Sequence, residues 1–143
     1  MALQVRTAQT DAELESARAL RLEVFVREQG VPEELELDSL DTEAVHAVAL
    51  DGDEVVGTGR LVQLSSGSGL IGRMAVGSAF RRRGIGSRLL ACLETEAQSL
   101  GIQHITLHAQ TYVRPFYQLA GYIEIGTTFQ EAGIEHIRMD KQI

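Results

Sequence analysis

The stretch from Leu70 to Leu100 constrains the fold of this chain more than any other. An apolar run, LIGRMAV, leads into the loop GSAFRRRGIGS and then into a helical pattern. Gly101 follows that pattern, where a helix C-terminal cap belongs. We therefore expect a strand and a glycine-rich turn, followed by a helix over 84–100 that packs back on a sheet. The apolar stripe of this helix is formed by Ile85, Leu89, Leu90, Leu93, Ala97 and Leu100.

The remaining patterns predict one mixed α/β domain over residues 1–143. Thr10, with Glu13 three residues later, forms a capping box that starts a first helix, which ends near Gly30 and Pro32. A short third helix follows from the pattern at 112–121. The order β-α-β-β-β-α-β-α-β-β predicts one sheet with helices against it. The expected strands lie near Leu3 and Val5 and at 44–50, 55–64, 70–76, 104–109, 122–125 and 134–139.

Composition excludes several classes of function. The chain carries 20 acidic and 13 basic residues, a net charge of -7, which disfavours nucleic-acid binding. Cys92 is the only cysteine, so neither an internal disulfide nor a cysteine-rich metal site is expected. The N-terminus lacks a signal-peptide core and no apolar run reaches membrane-spanning length. We expect a cytoplasmic protein that uses no metal, no membrane and no nucleic acid.

The glycine-rich loop is the first candidate for a binding site. Three arginines, Arg81, Arg82 and Arg83, precede Gly84 and Gly86 at the start of the predicted helix. Free N–H groups and the helix dipole favour an anion there, and glycines let the backbone approach it closely. Guanidinium groups would add full positive charges. The alternative is an ordinary helix start whose arginines extend into water.

The spacing within the loop selects among phosphate motifs. A P-loop needs Gly-Lys-Ser/Thr, and a dinucleotide fingerprint needs Gly or Ala where Leu89 stands, so both fail. Arg81, Gly84 and Gly86 instead meet the pattern Arg/Gln-x-x-Gly-x-Gly/Ala. This resembles the acetyl-CoA loop of the GNAT superfamily of N-acetyltransferases. The resemblance implies that backbone amides of the loop hold the pyrophosphate of coenzyme A (CoA).

The resemblance extends over nearly the whole chain. FVREQGVP (25–32), EHIRM (135–139) and the spacing of Asp38, Asp41 and His46 look like the small bacterial ElaA/YjcF-like branch. The fold implied is the GNAT, or acyl-CoA N-acyltransferase, fold of the α/β class. It has a mixed and mostly antiparallel central sheet with a splayed parallel strand pair, and helices on both faces.

The resemblance also implies which residues contact the cofactor. The segment LIGRMAV stands where family members bind the pantetheine arm, through the Met74 amide and the Val76 carbonyl. Gln110 lies just past the strand that splays away to admit the cofactor. The full set of implied contacts is Met74, Ala75, Val76, Arg81, Arg82, Arg83, Gly84, Ile85, Gly86, Ser87, Gln110 and Phe116.

Acetyl transfer to an amine needs an acid for the leaving thiolate and a way to deprotonate the amine. Tyr117 matches the family tyrosine that protonates the thiolate, and packing against Phe116 is its alternative role. Glu28, His136 and His108 are candidate bases, and a water chain is an alternative to all three. Arg73 and His108 are candidate substrate contacts, and pairing with surface acids is the alternative for Arg73.

An acidic run is the last separate feature of the sequence. It could attract a cationic amine, but such a run is more often a solvated face, which is what we expect here. Its members are Glu33, Glu34, Glu36, Asp38, Asp41 and Glu43.

Together the observations predict an acetyl-CoA-dependent N-acetyltransferase with direct attack by a primary amine. A small-molecule acceptor is favoured over a protein amine, its identity is left open, and a homodimer is a possible assembly. The alternative is a catalytically silent GNAT-fold module that binds or senses CoA. Tyr117 favours the enzyme, because a pure binding module needs the loop but no acid.

Overall fold

The computed structural model describes residues 3–36 and 38–143. Within them, seven strands and three α-helices follow the predicted order, and a further short helix, α2, lies in the acidic run. The strands are β1 (Leu3–Thr7), β2 (Val45–Asp51), β3 (Glu54–Ser65), β4 (Ser68–Val76), β5 (His104–Gln110), β6 (Ile123–Glu131) and β7 (Ile134–Gln142). The helices are α1 (Asp11–Arg21), α2 (Glu33–Glu36), α3 (Ile85–Ser99) and α4 (Arg114–Leu119).

All seven strands form one sheet in the order β1-β2-β3-β4-β5-β7-β6. Each neighbouring pair is antiparallel except β4 and β5, which are parallel and are connected through α3. A parallel pair needs such a crossover, whereas antiparallel neighbours can be joined by a tight turn. The predicted mixed and mostly antiparallel sheet with one parallel pair is confirmed.

The parallel pair separates partway along its length. Register pairs run from Ser68 with His104 to Ile71 with Leu107, and then stop. From there β5 keeps its pairing with β7 as far as Gln110. The second halves of β4 and β5 therefore flank a gap in the sheet.

A bulge in β4 lies at the mouth of this gap. The register with β3 shifts between Thr58 and Arg60, and Arg73 has a positive φ of 54°. This left-handed conformation is costly for a residue with a side chain. On β3, Gly59 faces the bulge, and a Cβ there would lie 2.5 Å from Sδ of Met74 and 2.9 Å from Leu93. A side chain at position 59 would therefore displace the side chains of Met74 and Leu93.

Helices cover both faces of the sheet. The larger core lies under α3 and α4, where Leu89, Leu93, Ile105 and Leu107 are almost fully buried. On the opposite face, α1 covers a smaller cluster, in which Ala17 packs with apolar residues of β2 and β3. None of the helices in the described ranges is both long enough and apolar enough to span a bilayer.

The first helix begins as predicted and ends in a different geometry. Thr10 Oγ1 accepts a hydrogen bond from the Glu13 amide, at 3.1 Å, while the Glu13 carboxylate accepts from the Gln9 amide. Arg6 donates two hydrogen bonds to the same carboxylate, which joins α1 to β1. Beyond Arg21 the chain continues in π-helical turns over Leu22–Glu28, a form that often occurs near functional sites.

Candidate active site

The loop at 77–84 leads from the end of β4 to the N-terminus of α3. Gly84 precedes the helix with φ 76°, Arg82 has φ 65°, and no side chain caps the helix within the described residues. The N–H groups of the first turn therefore lack helical partners. A Cβ on Gly86 would lie 3.3 Å from the Phe116 ring, so glycine lets α4 approach α3 closely here. The geometry provides outward-facing amides beside the gap.

The three arginines of the loop differ in their contacts. Arg81 donates from Nε to the Val76 carbonyl at 2.9 Å, and from Nη2 to both oxygens of Glu28, at 2.9 and 3.0 Å. Arg82 is exposed, and Arg83 places its guanidinium 5.4 Å from the centre of the Phe80 ring. Arg81 thus joins the loop to the end of the π-helical segment, while Arg82 and Arg83 remain at the surface.

The second half of β4 has one paired edge and one free edge. Ala75 and Val76 pair with Thr58 and Gly57 of β3. Beyond Ile71, no strand among the described residues pairs with the other edge. Backbone groups on this edge therefore lack a strand partner, on the strand where the resemblance places the pantetheine contacts. The Val76 carbonyl, expected to be one of those contacts, accepts from Arg81 Nε instead.

Tyr117 lies on α4, which the glycine stop at Gly121 terminates. Its ring is only 9% exposed and meets Phe116 and Tyr122 edge-on, at centroid distances of 4.9 and 6.0 Å. Burial raises the pKa of the Tyr117 hydroxyl to about 12, from an ordinary 10.0. The phenol therefore keeps its proton at neutral pH, which suits a proton donor.

Gln110 and Gln29 connect β5 to the segment that follows α1. Gln110 Nε2 donates to Gln29 Oε1 at 2.8 Å, on the face of the sheet that α1 covers. Gln110 was predicted to contact the cofactor, and Gln29 was not singled out, although it lies within the family-like segment at 25–32.

Two histidines, His108 on β5 and His136 on β7, lie close to each other on the neighbouring strands. His108 Nδ1 is 3.0 Å from Glu131 Oε1, and His136 Nε2 is 3.7 Å from Glu131 Oε2. The Phe129 ring meets His108 edge-on and stacks on His136. A hydrogen bond from His108 lowers the pKa of Glu131. The structure thus brings together two of the three candidate bases, while Glu28 is paired with Arg81.

Arg73 faces the acidic segment. Its guanidinium lies 3.3 Å from Glu36 Oε2 and donates to Asp38 Oδ2 and the Leu35 carbonyl, both at 3.1 Å. These bonds compensate its charge and hold the bulge of β4 against α2.

Glu36 and Asp41 are buried and Asp38 is partly buried, and all three pair with arginines, so the expectation of a solvated face is wrong for these residues. Arg21 donates to Glu36 at 2.6 Å and to both oxygens of Asp41 at 2.9 Å. Arg60 donates to Asp38 and Asp41 at 2.8 and 3.0 Å. Glu33, Glu34 and Glu43 are exposed, as expected.

Burial and pairing act in opposite directions within this network. Burial raises the pKa of Glu36 despite the hydrogen bond from Arg21. Burial would also raise the pKa of Asp41, but hydrogen bonds from Arg21 and Arg60 hold it below its ordinary value. His46 completes the network, because its Nε2 lies 2.9 Å from the Asp41 carbonyl oxygen. Asp38, Asp41 and His46, whose spacing was noted in the sequence, are thus all members of this network.

No group of three or more His, Cys, Asp or Glu side chains in residues 3–36 and 38–143 is arranged to hold a metal ion. The polar groups around the gap are instead hydrogen-bond donors and acceptors. They suit an elongated organic ligand that lies along β4 with an anionic end at α3.

A splayed parallel pair beside an uncapped, glycine-started helix defines the acyl-CoA N-acyltransferase fold. The crystal structure of an acyl-CoA N-acyltransferase from Pseudomonas aeruginosa superimposes with a TM-score of 0.87. It is 29% identical in sequence, over 98% of this chain and 99% of that chain. Residues 8–143 match the family model described as Acetyltransferase (GNAT) domain. The chain belongs to the GNAT acetyltransferase family.

Relatives confirm the branch that the sequence resembles. The chain is 38% identical to the uncharacterized N-acetyltransferase YjcF of Bacillus subtilis, over 94% of this chain and 96% of that protein. It is 31% identical to protein ElaA of Escherichia coli, over 87% and 84% of the two chains. A GNAT family acetyltransferase from Elizabethkingia anophelis with acetyl-CoA bound shares the fold, with a TM-score of 0.77 and 17% identity over 99% of this chain and 98% of that one.

Proposed function

We propose that this protein transfers the acetyl group of acetyl-CoA to a primary amine by direct attack. The observation that carries the proposal is the free edge of β4 leading to the uncapped N-terminus of α3. Membership of the GNAT acetyltransferase family supports it. The acetyl-CoA held by the E. anophelis protein of the same fold supports the choice of cosubstrate.

In this proposal, the cofactor follows the features of the gap in order. The amides of Ile85, Gly86 and Ser87 bind the pyrophosphate, because they point outward at the positive end of the helix dipole. Arg82 and Arg83 reach the outer phosphates. The pantetheine arm bonds to backbone groups of Met74, Ala75 and Val76 on the free edge of β4, where the Val76 carbonyl also accepts from Arg81. Gln110 and Phe116 line its path.

Arg81 and Gly84 keep the loop in shape for this ligand. Arg81 holds the Val76 carbonyl and Glu28 through three hydrogen bonds, so its contribution is to fix the loop against the π-helical segment. Gly84 supplies the left-handed turn that starts α3.

The chemistry needs two protons to leave the ammonium form of the acceptor. The first leaves before attack, since only the neutral amine carries a lone pair. The nitrogen then bonds to the thioester carbonyl carbon, and the carbon–sulfur bond breaks as the second N–H proton is lost to solvent. Tyr117 donates a proton to the departing thiolate and is reprotonated from solvent. The products are the acetamide, free CoA and one released proton.

The substrate side of the site comprises Arg73, His108 and the candidate bases His136 and Glu28. Arg73 is held by Glu36 and Asp38, so its guanidinium has a fixed position at the mouth of the gap. A small-molecule amine remains the favoured acceptor. The single-domain organisation, the cytoplasmic location and the homodimer remain predictions.

Release of free thiol from acetyl-CoA, assayed against a panel of primary amines, tests the proposal. We expect thiol release that depends on both the amine and the enzyme, with acetylated amine detected by mass spectrometry. If acetyl-CoA raises the melting temperature while no amine releases thiol, the protein is the silent CoA-binding module instead.

A further inference from the structure

We propose that Glu131, His108 and His136 form the site that binds the ammonium group of the acceptor. This inference deepens the proposed function and rests on it for the identity of the ligand as an acceptor. It names the substrate class as a cationic amine with free N–H donors. None of the sequence patterns pointed to Glu131.

The hydrogen bonds of the two histidines fix which ring nitrogens carry protons. Nδ1 of His136 lies 2.7 Å from the Ile134 carbonyl oxygen, and Nδ1 of His108 lies 3.0 Å from the Glu131 carboxylate. Both partners are acceptors, so each Nδ1 is the donor. In the neutral rings, each Nε2 is then an unprotonated acceptor.

The cluster therefore presents acceptors that lack donors. Glu131 Oε2 and His136 Nε2 stand 3.7 Å apart, too far for a hydrogen bond and close enough for both to accept from one cation. His108 holds the Glu131 carboxylate in place through its Nδ1–H. An alkylammonium group has several N–H donors and one positive charge, so it can bond to Glu131 Oε2 and His136 Nε2 at once.

Exposure and packing make the cluster a preformed and accessible site. The Glu131 side chain is 43% exposed, while His136 is 8% exposed. Phe129 contacts both imidazole rings, at centroid distances of 5.2 and 6.0 Å, and so restrains them. An incoming cation can reach the carboxylate from solvent and meets His136 Nε2 at its inner end.

The cluster lies on the part of β5 and β7 that borders the gap in the sheet. His108 directly follows Leu107, the last β5 residue paired with β4, and His136 pairs in register with Gln110. The positive charge of Arg73, at the β4 bulge, also lowers the pKa of Glu131. Glu36 and Asp38 pair with Arg73, so its positive charge is compensated in part before an ammonium group binds Glu131.

The proton step follows from this arrangement. The ammonium N–H that faces His136 passes its proton to the Nε2 lone pair, which leaves a neutral amine and an imidazolium. The Glu131 carboxylate stabilises that imidazolium, and solvent removes the proton after transfer. The neutral amine then attacks the thioester as the nucleophile.

Histidine NMR tests the binding site without acetyl transfer. The four histidines of the chain give four imidazole signals. Butylammonium chloride should shift the signals of His108 and His136 and leave those of His46 and His104 in place. Butyltrimethylammonium chloride, with the same charge and no N–H donor, should shift them far less. Equal responses to the two cations, or shifts at His46 and His104 alone, would overturn the proposal.

A matched pair of variants tests the carboxylate. Glu131→Gln should weaken butylammonium binding about tenfold or more, because a charge-assisted hydrogen bond is lost. Glu135→Gln, on β7 and bonded to Thr111, should bind like the wild type. Equal affinities of the two variants would contradict the assignment, and the comparison of the two cations on the wild type stands even if Glu131→Gln does not fold.

Kinetics connect the site to the reaction. With any amine that releases thiol, Glu131→Gln should raise KM for the amine about tenfold and leave KM for acetyl-CoA unchanged. A rise in both constants would refute an acceptor site. If no amine releases thiol, the proposed transferase fails while the NMR titration still decides whether the ammonium site exists.

Discussion

The burial of Tyr117 determines the proton state that its hydroxyl brings to a reaction. A phenol in an apolar environment resists ionisation, since the phenolate would lose its hydration. With the pKa raised to about 12, the acid form persists through neutral and mildly alkaline pH. The same packing against Phe116 and Tyr122 that buries the ring also fixes its direction.

Tyr117→Phe should lower kcat about a hundredfold and leave the affinity for acetyl-CoA nearly intact, since the proton donor is lost while the ring still packs. Initial rates and titration calorimetry measure the two quantities. Tyr112→Phe is the control, because Tyr112 lies in the neighbouring turn and is 71% exposed. Unchanged turnover in Tyr117→Phe would remove this residue from the mechanism.

Individual side chains were harder to predict than their elements. Arg81 occupies the motif position predicted to bind the cofactor, yet its guanidinium bonds to Glu28, fifty-three residues earlier in the chain. Tertiary proximity created this pair, and no local spacing marks it. Glu131 escaped notice because its strand was expected to end near Ile125 and continues past a glycine in β6.

The two ends of α3 allow a comparison at the scale of one element. Gly84 and Gly101 flank the helix with φ values of 76° and 77°, and a Cβ at either position meets open space. Valine should therefore strain both positions to a similar degree. Only Gly84 lies where the cofactor phosphates are proposed to bind.

Gly84→Val should weaken acetyl-CoA binding about tenfold or more, because the side chain blocks close approach to the backbone and distorts the first turn. Gly101→Val should lose comparable stability and keep the cofactor affinity of the wild type. Calorimetric titration and thermal melting measure the two effects. Wild-type affinity in Gly84→Val would refute the loop assignment.

At the scale of the whole molecule, the ionic network links distant parts of the chain. Arg21 on α1 and Arg60 on β3 meet carboxylates from the segment that leads into β2. Removing one partner from such a buried set leaves uncompensated charge in a medium that solvates it poorly. The network therefore makes this segment part of the core.

Arg21→Met should lower the free energy of unfolding by roughly 3–5 kcal/mol, since Glu36 and Asp41 lose their main donor. Arg27→Met should change it by less than about 0.5 kcal/mol, because its pair with Glu23 is exposed. Urea unfolding of both variants provides the measurement. Similar losses in the two variants would show that the network contributes little.

The sequence was sufficient for the order of the elements and for the family, because strand and helix periodicities are local and the loop motif is compact. The charge network and the Gln29–Gln110 contact could not be predicted from the sequence. Both depend on how α1 and the following segment lie on the sheet. The bulge at Arg73 is likewise a property of the pairing between β3 and β4.

The short junction between β4 and β5 has a consequence for how such proteins diversify. Among the described residues, four register pairs, Ser68–Ile71 with His104–Leu107, join the N-terminal half of the sheet to the C-terminal half. The proposed backbone contacts to the cofactor lie on β4 and α3, whereas the proposed ammonium site lies on β5, β6 and β7. Substitutions in the last three strands leave the backbone bonds of the first four intact. A lineage can thus acquire new acceptors in one half while it inherits the cosubstrate through the other.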